Sequence, residues 1–203
     1  RIDADTLPSV DEKLQLFCDA RKSLLDAGYI AIGMDHFAKP DDPLAIAWLD
    51  GSVGRNFQGY TVSRAEDLIA VGVSAIGDVG GAYVQNEKRL DRWEAAIEEE
   101  RLPTFRGALR TREDEMRRFA INRLMCRFRL EEDELKATYG KSFGDLEAEM
   151  ERLAIVEGEG LCTLQDGVVE VTELGKLFVR NVAACFDAYL AAATGPLPYA
   201  RAV

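Results

Sequence analysis

The stretch Leu161-Cys162-Thr163-Leu164-Gln165-Asp166-Gly167-Val168-Val169-Glu170-Val171 places two short apolar runs on either side of Asp-Gly. That dipeptide accepts the left-handed backbone of a two-residue turn, so the stretch reads as a β-hairpin. Thr172 follows as an N-cap for a last helix carrying Leu174, Leu177, Phe178, Val182, Cys185, Phe186 and Tyr189. Upstream, Thr111 with Asp114 three residues on starts a helix striped by Met116, Phe119, Ala120 and Leu124. Two shorter helices are expected at about Glu132 to Tyr139 and Gly144 to Val156. Three helices, a hairpin and another helix suggest a mainly helical, winged-helix-like domain over 108–203.

Ahead of a boundary near Pro103 to Thr111 the pattern changes. Ser9 and Glu12 form a capping box for a helix to about Ala27, Gly28 stops it, and Tyr29 to Ile32 reads as a buried strand. A helix feeding a short apolar strand belongs to an α/β unit. Gly33 to Pro40 reads as a polar loop at the strand's C-terminal end, where open sheets and barrels carry their chemistry. Pro43 opens a short helix ending at Gly51. Asp67 to Ile76 reads as a second strand, with small residues at Gly72, Ser74 and Ala75. Gly77, Gly80 and Gly81 allow a turn, and an exposed helix is expected from Glu87 to Glu100. The class is α+β or α/β. The chain starts at Arg1 without Met, which reads as a cut within a longer protein.

Composition limits function. The 203 residues are 47% apolar with a net charge of -11. From Thr111 onward there are 12 Lys and Arg against 17 Asp and Glu. That balance argues against DNA binding, which needs clustered cations, although Arg117, Arg118, Arg123, Arg127 and Arg129 form a local basic run. The run is read as a solvated face paired with Glu113 to Glu115 and Glu131 to Glu134. Cys18, Cys126, Cys162 and Cys185 sit among apolar neighbours, with no CxxC or CxxxCxxC spacing. They read as reduced core residues of a cytoplasmic protein rather than metal ligands. No apolar run is long enough to span a membrane. The chain has one histidine, His36, and a lone His is more often structural than catalytic. Imidazole is nonetheless suited to proton transfer, and with Asp35 it is the catalytic candidate.

Three ordered blocks carry a resemblance: Gly33-Met34-Asp35-His36-Phe37-Ala38-Lys39-Pro40-Asp41-Asp42, Arg55-Asn56-Phe57-Gln58-Gly59-Tyr60-Thr61 and Gly72-Val73-Ser74-Ala75-Ile76. They are similar to successive blocks of oxygen-independent coproporphyrinogen III oxidases. Val171-Thr172-Glu173-Leu174-Gly175, Arg180-Asn181 and Cys185-Phe186-Asp187 look like that family's C-terminal domain. A haem-chaperone sister family has His-Asn-x-x-Tyr-Trp where Arg55-Asn56-Phe57-Gln58-Gly59-Tyr60 stands, and Ser-Asn-Phe-Ala in place of Asp35-His36-Phe37-Ala38. Both departures favour the oxidase.

The resemblance implies the distal part of a partial β/α barrel over 1–107, belonging to a radical-SAM catalytic domain. It implies an enzyme that cleaves S-adenosylmethionine at a [4Fe-4S] cluster. The resulting 5'-deoxyadenosyl radical starts the conversion of two propionates of coproporphyrinogen III to vinyls, giving protoporphyrinogen IX in haem biosynthesis. The cluster ligands have no match here, so the chain by itself is expected to be inactive and to need an N-terminal barrel half in cis. A half barrel leaves an unpaired strand edge, which invites dimerisation. The family's contacts to a second S-adenosylmethionine match Phe57, Gln58 and Ile76. Arg55 and Lys39 are candidate partners of substrate carboxylates, with a surface ion pair to Asp41 or Asp42 as the alternative, and Tyr60 is a weaker candidate. A stand-alone haem- or porphyrin-binding module stays open as a further class.

Overall fold

The computed structural model describes residues 6–62 and 65–192, so the expectation about where the chain begins lies outside them. The hairpin forms as read. Strands β9 (Cys162–Gln165) and β10 (Val168–Val171) pair in register around Asp166 and Gly167, both at positive φ. Cys162, Val169 and Val171 point into the core, whereas Thr163 and Glu170 face water, the period-2 alternation of a half-buried sheet.

A third strand, β8 (Arg129–Glu131), joins the far side of β10, giving the order β8-β10-β9, all antiparallel. Nothing in the sequence reading foresaw this strand. It follows Phe128, which ends helix α4 (Arg112–Arg127) in the left-handed conformation and turns the chain back. With α5 (Glu132–Tyr139) and α6 (Glu147–Gly158) the order is helix, strand, helix, helix, hairpin, that of a winged helix. Its core includes Leu124, Leu130, Leu135, Leu153, Val182 and Phe186. The single helix expected from Thr172 is broken into α7 (Glu173–Leu177), α8 (Val179–Ala184) and α9 (Ala188–Ala191). Phe178 leaves helical geometry between the first two. The break lets Val179, Val182 and Phe186 all bury.

In the first half, α1 (Val10–Asp26) carries the Ser9–Glu12 capping box and ends at Gly28, φ +82°. Strand β1 (Ile30–Ile32) forms as expected, but the polar loop after it does not. Residues His36–Ala38 make a strand, β2, antiparallel to β1. Gly33 at φ +57° turns the chain, and Ile32 and Ala38 gain burial from the pairing. Helix α2 (Pro43–Leu49) is capped by Asp42 with Pro at its start. Strands β3 (Gly54–Asn56) and β4 (Gly59–Thr61) form a tight hairpin.

A three-stranded antiparallel sheet follows, from β5 (Ile76–Val79), β6 (Ala82–Asn86) and β7 (Thr104–Leu109), with α3 (Leu90–Glu98) between the last two. The strand expected over Asp67 to Ile76 is reduced to one bridge, Leu68 to Asp78. Positive φ at Gly72 and Ser74 interrupts it. Within 103–111, read as a boundary, the chain forms the edge strand β7, every residue of it exposed. The class is mixed α/β. Among the described residues every strand pair is antiparallel, and β1 has only β2 as a neighbour.

Candidate functional site

The two hairpins of the first half are locked together around Tyr60. Its ring lies where a Cβ on Gly33 would sit, 2.0 Å away, so only glycine fits there. His36 meets the ring edge-on at 5.1 Å, Trp48 does so at 6.0 Å, and the Arg55 guanidinium lies over it at 5.9 Å. Tyr60 is buried, and its hydroxyl donates to the Met125 carbonyl of α4 at 2.9 Å. Burial above all pushes its phenol up to about 12. Tyr60 thus ties the first half to the second rather than facing a ligand. In return Met34, in the β1–β2 turn, packs on the core of the second half.

Asp35 Oδ1 lies 2.7 Å from His36 Nδ1, a contact that orients the imidazole. The other ring nitrogen, Nε2, closes on Gly59, where a Cβ would come within 2.7 Å. Lys39 is exposed and makes no ion pair among the described residues, and Asp42 is engaged as the cap of α2. Arg55 is half-buried and likewise has no carboxylate partner among the described residues.

Phe57 and Gln58 are the two turn residues of the β3–β4 hairpin, held by an Asn56 side chain that accepts from the Gln58 amide nitrogen at 2.8 Å. Phe57 is 51% exposed and packs edge-on against Tyr83 at 5.2 Å. The side-chain amide of Gln58 has no hydrogen-bond partner among the described residues. Ile76 is half-buried on β5. It pairs with Gln85, and the next pair on that face is Asp78 with Tyr83. Phe57 and Ile76 are therefore brought to one sheet face through Tyr83, with Gln58 in the adjoining turn.

Beside Phe57 a cavity of about 900 Å³ opens between the sheet and α4. Its lining holds six arginines, Arg55 among them, and four carboxylates. Five of the six, Arg110, Arg117, Arg118, Arg123 and Arg127, are ion-paired with Asp78, Glu113, Glu115, Glu134 or Glu149, which leaves Arg55 as the lining arginine without a carboxylate partner among the described residues. His36, Lys39, Gln58 and Ile76 do not line it.

The sequence reading missed Asp78, Tyr83 and Arg110, and gave Arg118 only its near neighbours as partners. Asp78 is buried and accepts from both Arg110 and Arg118. The two guanidiniums lie 4.7 and 5.7 Å from the Tyr83 ring centre. Burial above all raises the Tyr83 phenol's pKa, with the two arginines opposing. The available signal was an acid inside an apolar strand, which seldom stands unpaired.

Three of the four cysteines are buried, and burial pushes Cys162 up to about 11. Among the described residues no three His, Cys, Asp or Glu side chains gather as a metal site. These residues do not fit an iron–sulfur cluster, which needs convergent thiolates.

Residues 111–178 match the HemN C-terminal domain family. Over 189 residues the chain is 43% identical to the oxygen-independent coproporphyrinogen III oxidase of Salmonella typhimurium, covering 93% of this chain and 41% of the relative. The same enzyme of Escherichia coli K12 is 41% identical over the same shares. That of Thermostichus vulcanus is 40% identical, covering 96% of this chain and 61% of the relative. Over nearly its whole length the chain is similar to one part of the oxygen-independent coproporphyrinogen III oxidases. The solved coproporphyrinogen III oxidase (HemN) from Escherichia coli, described as a radical SAM enzyme, superposes with a TM-score of 0.86 at 39% identity. The match covers 93% of this chain and 44% of that one. The chain thus spans about two fifths of the Salmonella and Escherichia relatives, and its winged-helix half is where the C-terminal domain match falls.

Proposed function

We propose that this chain is the C-terminal part of an oxygen-independent coproporphyrinogen III oxidase. In this reading 1–107 complete the radical-SAM catalytic domain, 108–203 cover its cleft, and the enzyme works in the cytoplasm. No helix among the described residues is long and apolar enough to cross a membrane. An N-terminal portion would hold the [4Fe-4S] cluster, and no step is assigned to the cluster from the residues here. S-adenosylmethionine, when bound, supplies the hydrogen-abstracting chemistry that converts two propionates of coproporphyrinogen III to vinyls.

The residues of this chain bind and orient. Phe57 offers a half-exposed ring, Ile76 an apolar wall on the same sheet face, and Gln58 an amide free to donate and accept. That set fits the adenine, thioether and polar groups of a second S-adenosylmethionine. In the cleft beside them Arg55, which has no carboxylate partner among the described residues, fits a propionate of the tetrapyrrole as first contact, while the other lining arginines are held by acids. Lys39 is exposed nearby in sequence but outside the cleft lining, and its role is secondary. Asp35 orients His36 toward Gly59, so His36 holds the second hairpin in place and is at most an indirect participant.

One observation carries the reading. Phe57 and Ile76, far apart in sequence, share a sheet face beside an arginine-lined cleft. The experiment is anaerobic turnover of coproporphyrinogen III by the full-length Gln58→Ala variant, with melting temperature measured alongside. Loss of one hydrogen bond of about 1 to 3 kcal/mol in a dry site lowers turnover about 5- to 150-fold. Turnover equal to wild type refutes the role of Gln58.

A further inference from the structure

Phe57 stands in a two-residue turn, half-exposed, and its ring packs edge-on against that of Tyr83. A turn side chain without a wall spreads over several rotamers, and ordering it on binding costs affinity. Tyr83 supplies a wall. It is itself fixed, because the guanidiniums of Arg110 and Arg118 lie over its ring and both are tied to the Asp78 carboxylate. Asp78 is the cross-strand partner of Tyr83, so the acid, the ring and the two cations form one closed cluster. Arg110 is further tied to Glu115 and is nearly buried. Arg118 belongs to α4, in the second half of the chain.

We infer that Tyr83 is a positioning residue for Phe57. Through Arg118, docking of the winged-helix half fixes the ring that meets S-adenosylmethionine. This rests on the reading of Phe57 given above. It assigns a role in cofactor affinity to three residues, Asp78, Tyr83 and Arg118, that need not touch the cofactor. The winged-helix half is then part of the binding device and not only a cover.

The test is equilibrium dialysis of S-adenosylmethionine with the anaerobic full-length protein, reading the number of equivalents bound and the dissociation constant of the weaker one. Phe57→Ala should weaken that constant about 10-fold. Tyr83→Leu, which keeps an apolar side chain but removes the ring, should weaken it by about 2- to 12-fold, the worth of one aromatic edge contact. Tyr83→Phe should stay within about 2-fold of wild type, since the ring remains. The decisive arm is the double variant Phe57→Ala/Tyr83→Leu, which should bind no worse than Phe57→Ala, because Tyr83 acts only through Phe57. A general structural defect would instead multiply the two losses. Arg118→Gln, which takes the guanidinium from above the ring and from one Asp78 oxygen, should repeat the pattern of Tyr83→Leu and serves if that variant does not fold. Losses that multiply in the double variant overturn the inference, as does wild-type affinity in both Tyr83→Leu and Arg118→Gln. If Phe57→Ala binds like wild type, the ligand role of Phe57 falls first and the inference falls with it.

Discussion

Replacing Tyr60 by Phe removes one oxygen and keeps the ring that fills the space above Gly33. The lost hydroxyl is the partner of the Met125 carbonyl, near the end of α4, where the helix has no further amide to offer it. Met125 is 2% exposed, so the carbonyl is left without water as well. A buried acceptor stripped of its donor costs about 1 to 3 kcal/mol. For a chain of this size each kcal/mol moves the melting temperature by about 2 to 4 °C, giving a fall of roughly 2 to 12 °C at neutral pH.

The pH dependence sharpens the test. The phenol's ordinary value is 10.0, and the fold raises it to about 12. A raised value means the folded state holds the proton more tightly, so this contribution is full below pH 10 and is lost as pH rises from 10 toward 12. Above pH 10 the unfolded chain gains roughly 1.4 kcal/mol per pH unit by ionising Tyr60, a gain the Phe variant lacks. The stability gap between wild type and Tyr60→Phe should therefore close by about 1 to 1.5 kcal/mol between pH 9 and pH 11. Urea unfolding of both proteins at pH 7, 9, 10 and 11 measures it, because background titrations cancel in the difference. A gap that stays constant from pH 9 to pH 11 refutes the claim that Tyr60 is buried as a neutral phenol.

Gly175→Ala should lower stability by about 3 kcal/mol or more, since its Cβ would meet the Leu161 carbonyl oxygen at 1.8 Å. Gly158→Ala, with open space around it at the end of α6, should raise stability by about 0.5 to 1 kcal/mol. Thermal melts of the pair read both signs. Glu149→Ala strips a buried acid from Arg117 and Arg152 and should cost about 3 kcal/mol or more at pH 7. Burial pushes the Glu149 carboxyl up, but hydrogen bonds and charge from the arginines outweigh it and hold the carboxyl below its usual value of 4.5. Wild-type stability should therefore fall as pH drops below 4.5 by a component the variant lacks, seen in acid unfolding curves. The winged-helix half should not bind random duplex DNA in a low-salt gel shift; micromolar binding with a steep salt slope would make its arginines a phosphate face.

Short-range signals in the sequence proved sufficient wherever one residue dictates its neighbours' geometry. Ser9 with Glu12, Thr111 with Asp114, Pro43 at the start of a helix and the Asp166-Gly167 turn each form as read, because caps and turns are decided within four residues. Failures came where partners are distant. His36–Ala38 is a strand only because β1 lies beside it, and β8 exists only because β10 accepts it. The basic run from Arg117 to Arg129 was legible in part. Arg117, Arg118, Arg123, Arg127 and Arg129 do reach Glu113, Glu115, Glu131 or Glu134. Their remote partners, Glu149 and Asp78, could not be read from spacing. At the site, the segments holding Phe57, Gln58 and Ile76 were legible from resemblance, but Tyr83, which joins two of them, had no local signature.

The use made of the winged helix follows from which of its helices carries charge outward. A nucleic-acid reader of this topology presents its third helix to the groove. Here that helix is α6, and its exposed charges are Glu147 and Glu151, with Glu159 just past its end; its one cation, Arg152, is turned to Glu149 and the Cys185 carbonyl. The first helix, α4, does the docking instead. At its start Arg118 reaches the buried Asp78 of β5, and near its end Met125 takes the Tyr60 hydroxyl while Cys126 enters the core of the first half. Met34 crosses the other way into the second core. Each half thus places side chains in the core of its neighbour, and pulling them apart would expose apolar surface and strip Asp78 of its Arg118 partner. An interface built on those terms holds one fixed geometry, and that fixity gives the arginine-lined cleft beside Phe57 a constant shape.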